Sequence, residues 1–136
     1  MIHPFTSEVK ILLDTFPFAW LTSEPYRLTQ VASEALSDTA NQLFLSDASA
    51  LELSLMYADG SLEMPQTPRL WMEKQRKLWN LQTLPIDREV CYRLSELPHH
   101  HGDPVDRLLV ATALIEDLTI LTSDDQIRKY PVATIW

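Results

Sequence analysis

The chain has 136 residues, 46% of them apolar, with two glycines and a net charge of −8 from 19 acidic against 11 basic side chains. This composition excludes a low-complexity polymer and a protein that grips nucleic acid by bulk positive charge, and it leaves enough apolar material for one domain spanning residues 1–136. Cys91 stands alone, so no internal disulfide can form, a reducing cytoplasm is the expected setting, and a small buried side chain is its expected role.

Residues 1–8 read as an N-terminal arm, a frayed end without the basic-then-apolar pattern of a signal peptide. The run from Val9 to Asp14 is a buried strand ending in an acid. A helix follows over 29–38, with Val31, Ala32, Ala35 and Leu36 on one face. The segment from Asn41 to Ser46 is a second strand. The next helix has Ser49 as N-cap and stops near Gly60. Thr67 and Pro68 open a helix to about Asn80. Residues 81–86 form a third strand, and Asp87 caps a helix reaching about Leu97. Pro98 to Gly102 breaks the chain before Asp103 and Pro104 start another helix. Leu118 to Ser123 is a fourth strand, and "VATIW" at the end is a short fifth. The longest apolar stretch, Leu108 to Ile115, is too short to span a bilayer, so no membrane role is expected.

Alternating strands and helices at this spacing predict an α/β domain. Its central sheet has four to five mostly parallel strands with helices on both faces. In such folds ligands sit beyond the carboxyl ends of the strands, where the helices that run back also begin. Asp14 closes the first strand and Asp124 follows the fourth. Glu52 falls in the first turn of the helix after the second strand, and Asp106 in the first turn of the helix before the fourth. Topology therefore carries four acids to one edge.

Each acid has a plainer reading. Ser49 and Glu52 make a capping box, Asp103 and Asp106 suit a helix N-terminus, and Asp124 and Asp125 suit a turn. Asp14 is harder to explain this way, because an acid continuing a buried strand is desolvated. Two carboxylates about 4 Å apart repel by roughly 4 kcal/mol at an effective dielectric near 20. A cluster of four must then take up protons or hold a divalent cation, Mg²⁺ or Mn²⁺ being the ions that favour carboxylate oxygens.

The segments "LLDT", "ASALELSLMYADGSLEMP", "LPHHHGDPVDRLLVATALIEDLTILTSDD" and "YPVATIW" resemble the PIN domain, in the branch containing VapC-type toxin ribonucleases. The resemblance runs over nearly the whole chain from about Val9, and "HGDPVDRLLVATAL" with the following "LTSD" is its most specific part. It implies Mg²⁺- or Mn²⁺-dependent cleavage of RNA, homodimerisation and inhibition by a small cognate antitoxin protein. By the same match Asp14, Glu52, Asp106 and Asp124 stand at the family's metal-binding, catalytic acidic positions. Thr15, Asp103, Arg107 and Ser123 are their neighbours, expected to support these acids or to touch substrate. Phe16 departs from the pattern, since this branch often carries His there.

The histidine run, His99 to His101, cannot aim three adjacent rings at one ion, and no Cys or second His cluster completes a zinc site, so it reads as loop decoration. Arg107, next to a site acid, reads either as a bidentate phosphate contact or as the partner of a surface acid. Arg69, Arg76 and Lys77, with Lys74 at the margin, form a charged helix face. On the same helix Trp71, Met72, Leu78 and Trp79 make a broad apolar face, for the core or for a dimer or antitoxin contact. Two other functions stay open: a non-catalytic protein- or RNA-binding module, and a nuclease acting on DNA or flap structures, for which the chain is short.

Overall fold

The computed structural model describes residues 8–136. The expected N-terminal arm therefore lies almost wholly outside the described residues. Five strands form one sheet in the order β3-β2-β1-β4-β5, all parallel: β1 (Lys10–Leu13), β2 (Gln42–Ser46), β3 (Gln82–Leu84), β4 (Thr119–Leu121) and β5 (Thr134–Ile135). Six α-helices connect them: α1 (Thr15–Ser23), α2 (Gln30–Ser37), α3 (Asp47–Ala58), α4 (Pro68–Leu78), α5 (Arg88–Leu94) and α6 (Pro104–Glu116).

The inner strands β1, β2 and β4 carry buried apolar runs because both faces of the sheet are covered there, while the edge strand β3 is largely exposed. Successive side chains point to opposite sides. Ile11 and Leu13 join Phe18, Leu53, Trp71 and Leu121 in one core. Leu12 packs on the other face with Phe44, Leu109, Val110, Ile120 and Ile127. Each fully buried side chain of this kind contributes roughly 1.5–3 kcal/mol from apolar transfer.

The strand order reverses at β1. The chain steps outward through β2 and β3, then returns to place β4 on the other side of β1. That switch opens a crevice beyond the carboxyl ends of β1 and β4, where parallel α/β sheets bind ligands.

Two expectations fail here. Helix α1 is missing from the sequence reading, because "TFPFAWLTS" is apolar almost throughout and has no helical period. Its start is set by Asp14, whose side chain accepts from the Thr15 N–H, and Pro17 is tolerated in the first turn. The second failure is the cap of α3. Ser46, the last residue of β2, accepts from the Ala48 N–H at 3.0 Å and starts the helix at once. Ser49 is therefore an interior, buried residue, the capping box does not exist, and Glu52 lies in the second turn. Elsewhere α5 ends at Leu94, short of the expected Leu97, and α3 ends at Ala58, just before Gly60 adopts a φ of 81°.

Candidate metal and nuclease site

Asp14, Glu52, Asp103, Asp106, Ser123 and Asp124 line one cavity of about 240 Å³ at the switch point, walled on one side by Phe16, Pro17 and Trp20. Among the described residues no Lys or Arg lines it. The carboxylates come from the end of β1, the body of α3, the start of α6 and the loop after β4.

Asp14 is 8% exposed, and both its oxygens are occupied. Oδ1 accepts from the Thr15 N–H at 2.8 Å, and Oδ2 accepts from the Thr122 hydroxyl at 2.7 Å. Burial raises its pKa above the ordinary carboxylate value; these two hydrogen bonds oppose the rise, and Asp124 and Asp103 add to it. Glu52 is raised in the same sense, first by burial and then by Asp103 and Asp14, with the Thr15 hydroxyl opposing. Thr15 also shares a hydrogen bond with Ser49 at 2.9 Å, which ties α1 to α3 beneath the acids. Asp106 is affected most. Burial and the charges of Asp14, Asp103, Glu52 and Asp124 push its pKa up to about 8.

Asp103 caps α6 by accepting from the Val105 N–H at 2.9 Å, and its charge also raises Asp14, Glu52 and Asp106. It is cap and cluster member at once.

His101 is not decoration. Its Nε2 lies 3.0 Å from Asp106 Oδ2 and 2.9 Å from Asp124 Oδ2. Its Nδ1 accepts the Asp103 N–H at 3.0 Å, so the neutral ring carries its proton on Nε2 and donates it between the two acids. The loop is held by Tyr130, whose buried hydroxyl accepts the N–H groups of His100 and His101 at 3.1 and 3.0 Å. His101, Asp106 and Asp124 each offer a ligand atom within 4.8 Å of the others. For Nε2 to ligate an ion, the ring would have to change tautomer and give up the Asp103 bond. The carboxylates need no such change, and a hard divalent cation fits their oxygen donors.

Thr122 was also missed. It is fully buried, donates to Asp14 and accepts the Asp124 N–H at 3.0 Å, so one hydroxyl sets two acids. The signal was its place in "LTSDD", two residues before the acid; the neighbouring Ser123 is exposed at the cavity rim. Arg107 does not reach the cavity. Its Nη2 donates to the carbonyls of Leu94 and Leu97 at 3.0 and 3.4 Å, fastening α6 to the end of α5. This corrects the phosphate reading. Cys91 is exposed rather than buried. On α4, Trp71 and Met72 enter the core while Leu70 and Leu78 remain 59% and 64% exposed.

The family profile described as PIN domain matches residues 11–133. The chain belongs to the PIN domain family. Over 131 residues it is 29% identical to Ribonuclease VapC22 of Mycobacterium tuberculosis, with 93% of this chain and 98% of that relative covered. Among solved structures it is similar to a chain in VapBC2 from Rickettsia felis bound to a promoter DNA fragment, with a TM-score of 0.66 at 14% identity over 93% of this chain and 97% of the other. It is also similar to a chain in FitAcB from Neisseria gonorrhoeae, with a TM-score of 0.53 at 24% identity over 91% and 95%. At these identities the structural neighbours establish the PIN fold. Among the described residues no helix is long and apolar enough to cross a membrane.

Proposed function

We propose that this PIN domain is a Mg²⁺- or Mn²⁺-dependent endoribonuclease, the toxin of a toxin–antitoxin pair acting in the cytoplasm. The observation that carries the reading is the convergence of Asp14, Glu52, Asp106 and Asp124 on one cavity without a balancing Lys or Arg, their environment raising three of the four pKa values. The likeness to Ribonuclease VapC22 supports the substrate class, and the VapBC2 and FitAcB neighbours support a partner protein.

Asp14, Asp106 and Asp124 would hold the ion, with Glu52 as a further oxygen donor beside them. A divalent cation bound there supplies Lewis-acid stabilisation of the charge that gathers on the phosphodiester and lowers the pKa of water. Thr122 and the Thr15 N–H fix the Asp14 carboxylate, so it does not rearrange during reaction. Glu52, half-buried and of raised basicity, orients the attacking water and takes its proton. The water oxygen bonds to phosphorus, the opposite P–O bond breaks in line, and the leaving oxygen takes a proton from solvent. Asp103 and His101 keep the start of α6 and the Asp124 loop in register. A homodimer and a small antitoxin are the proposed partners, with exposed Leu51, Leu55, Leu70 and Leu78 as apolar surface for them.

Incubation of the purified protein with single-stranded and structured RNA and Mn²⁺ tests the proposal. Cleavage should appear with Mn²⁺ and disappear in Asp14→Asn. Wild-type cleavage no greater than that of Asp14→Asn favours the non-catalytic module, for which RNA or protein binding would be independent of the cation.

A further inference from the structure

The acid cavity shares its aromatic wall with a larger one. Phe16 and Trp20 stand one turn apart on α1, and both line the 240 Å³ acid cavity and an adjoining cavity of about 470 Å³. The second cavity is in the size range of small-ligand pockets, roughly 300–1,000 Å³. Leu62, Met64 and Trp71 give it an apolar lining, and Arg27 stands at its edge.

We infer that this second cavity is a nucleobase subsite, in which Phe16 and Trp20 stack the base of a nucleotide adjoining the bond that is cut. The inference rests on the ribonuclease reading, and four observations choose this occupant. First, whatever lies along Phe16 is continuous with the acids, where a phosphodiester must sit, so the occupant is tethered to that phosphodiester. Second, the two rings stand side by side, with centroids 6.5 Å apart and tilted by 35°, Trp20 being backed by Trp136 and overlain by Arg27, so they form an aromatic wall for an unstacked base once Arg27 turns aside. Third, Phe16 is 37% exposed, so part of its ring is free to receive one. Fourth, Glu24 and Glu63 line the cavity interior and oppose a phosphate inside it but not a neutral base, which leaves the next phosphate outside, at the rim where Arg27 stands.

Arg27 completes the subsite. Its guanidinium lies 5.4 Å from the centroid of Trp20, which holds it over the stacking wall. Its pairing with Glu24, at 3.3 Å with both side chains well exposed, is weakly held. Arg27 can therefore turn to the next phosphate while the base enters. The order Asp14, Phe16, Trp20, Arg27 along the first helix and its following turn becomes a track for a single strand: cut phosphate, base, next phosphate. Such a site prefers unpaired RNA, because a paired base cannot leave its stack at low cost.

The experiment measures binding of a labelled twelve-nucleotide single-stranded RNA by anisotropy without added metal, and its cleavage with Mn²⁺. Wild type, Phe16→Ala, Trp20→Ala and Trp20→Phe are compared, each first checked for a cooperative melt. Alanine at either ring should weaken binding and raise KM by about 5- to 150-fold, the usual effect of losing one base–aromatic stack, with kcat changed little. Trp20→Phe should recover most of the loss. A series of RNAs with one abasic nucleotide moved along the strand should contain one position that weakens wild type by a similar factor and adds nothing to Trp20→Ala.

Losses that multiply at every abasic position overturn the subsite. Unchanged RNA binding and KM in both alanine variants also overturn it, including the case where those variants lose only a protein partner. Absence of cleavage by wild type would defeat the ribonuclease reading alone, since the binding and abasic comparisons still decide whether the rings hold a base.

Discussion

Replacing Asp106 by Asn should make the metal-free protein more stable while abolishing its activity. The Asp106 side chain is 13% exposed, and burial, followed by the charges of Asp14, Asp103, Glu52 and Asp124, raises its pKa to about 8 from a usual 3.8. A folded state that binds a proton more tightly than the unfolded chain loses stability as pH rises between those two values. At about 1.4 kcal/mol per unit, the ceiling on this cost at pH 7 is roughly 4 kcal/mol. The charge is shared among five acids, so one neutral amide relieves about half of it, near 2 kcal/mol. For a chain of this length that corresponds to a gain of roughly 5–8 °C in Tm. The amide can still accept the proton on His101 Nε2. Calorimetry in chelator, at pH 5 and pH 8, reads the difference. The gap should be wide at pH 8 and fall to about a third at pH 5, which lies only about one unit above the usual carboxyl pKa of the unfolded chain. An Asn variant that melts at or below wild type at pH 8, or a gap that ignores pH, refutes the argument that burial among like charges strains this carboxyl.

Other expectations follow from the same contacts. Thr122→Val removes a buried donor to Asp14 and the acceptor of the Asp124 N–H; it should lower kcat at least tenfold and stability by about 1–3 kcal/mol, with Thr122→Ser restoring both, as steady-state kinetics and denaturant melts would show. Tyr130→Phe removes the acceptor of two loop N–H groups, and amide hydrogen exchange at His100 and His101 should speed up while the rest of the sheet keeps its protection. Arg107→Ala should reduce stability through its bonds to Leu94 and Leu97 and leave KM for RNA unchanged, a result that separates a fastening role from a phosphate contact. Adding Mn²⁺ should raise the wild-type Tm more at pH 8 than at pH 5.5, because protons compete for the same oxygens.

The sheet was legible because its inner strands are short and apolar on both faces, and because turn and capping residues such as Thr67, Asp87 and Asp103 sit where the helices begin. The edge shared by Asp14, Asp106 and Asp124 follows from topology alone. What the sequence hides is set by packing across the chain. Nothing local distinguishes α1 from a strand, since its apolar residues are buried against both α3 and α4 partners. Ser46 and Ser49 are both good caps in isolation, and the choice falls on Ser46 because β2 ends there. His101 looked like one of three equivalent rings. It is singled out by the Asp103 N–H behind it and by Tyr130, 29 residues away, beneath its backbone. Arg107 stands next to a site acid in sequence yet points to the end of α5, as a residue one position along a helix must turn about 100° away.

The most direct measurement is a Mn²⁺ titration followed by electron paramagnetic resonance of the free ion, on wild type, Asp14→Asn and Asp106→Asn at pH 7.5. Wild type should withdraw Mn²⁺ from solution saturably, and each variant should bind at least tenfold more weakly. Saturable binding that is equal in all three proteins, or none in wild type, would contradict a cation-holding cluster at the rim of β1 and β4.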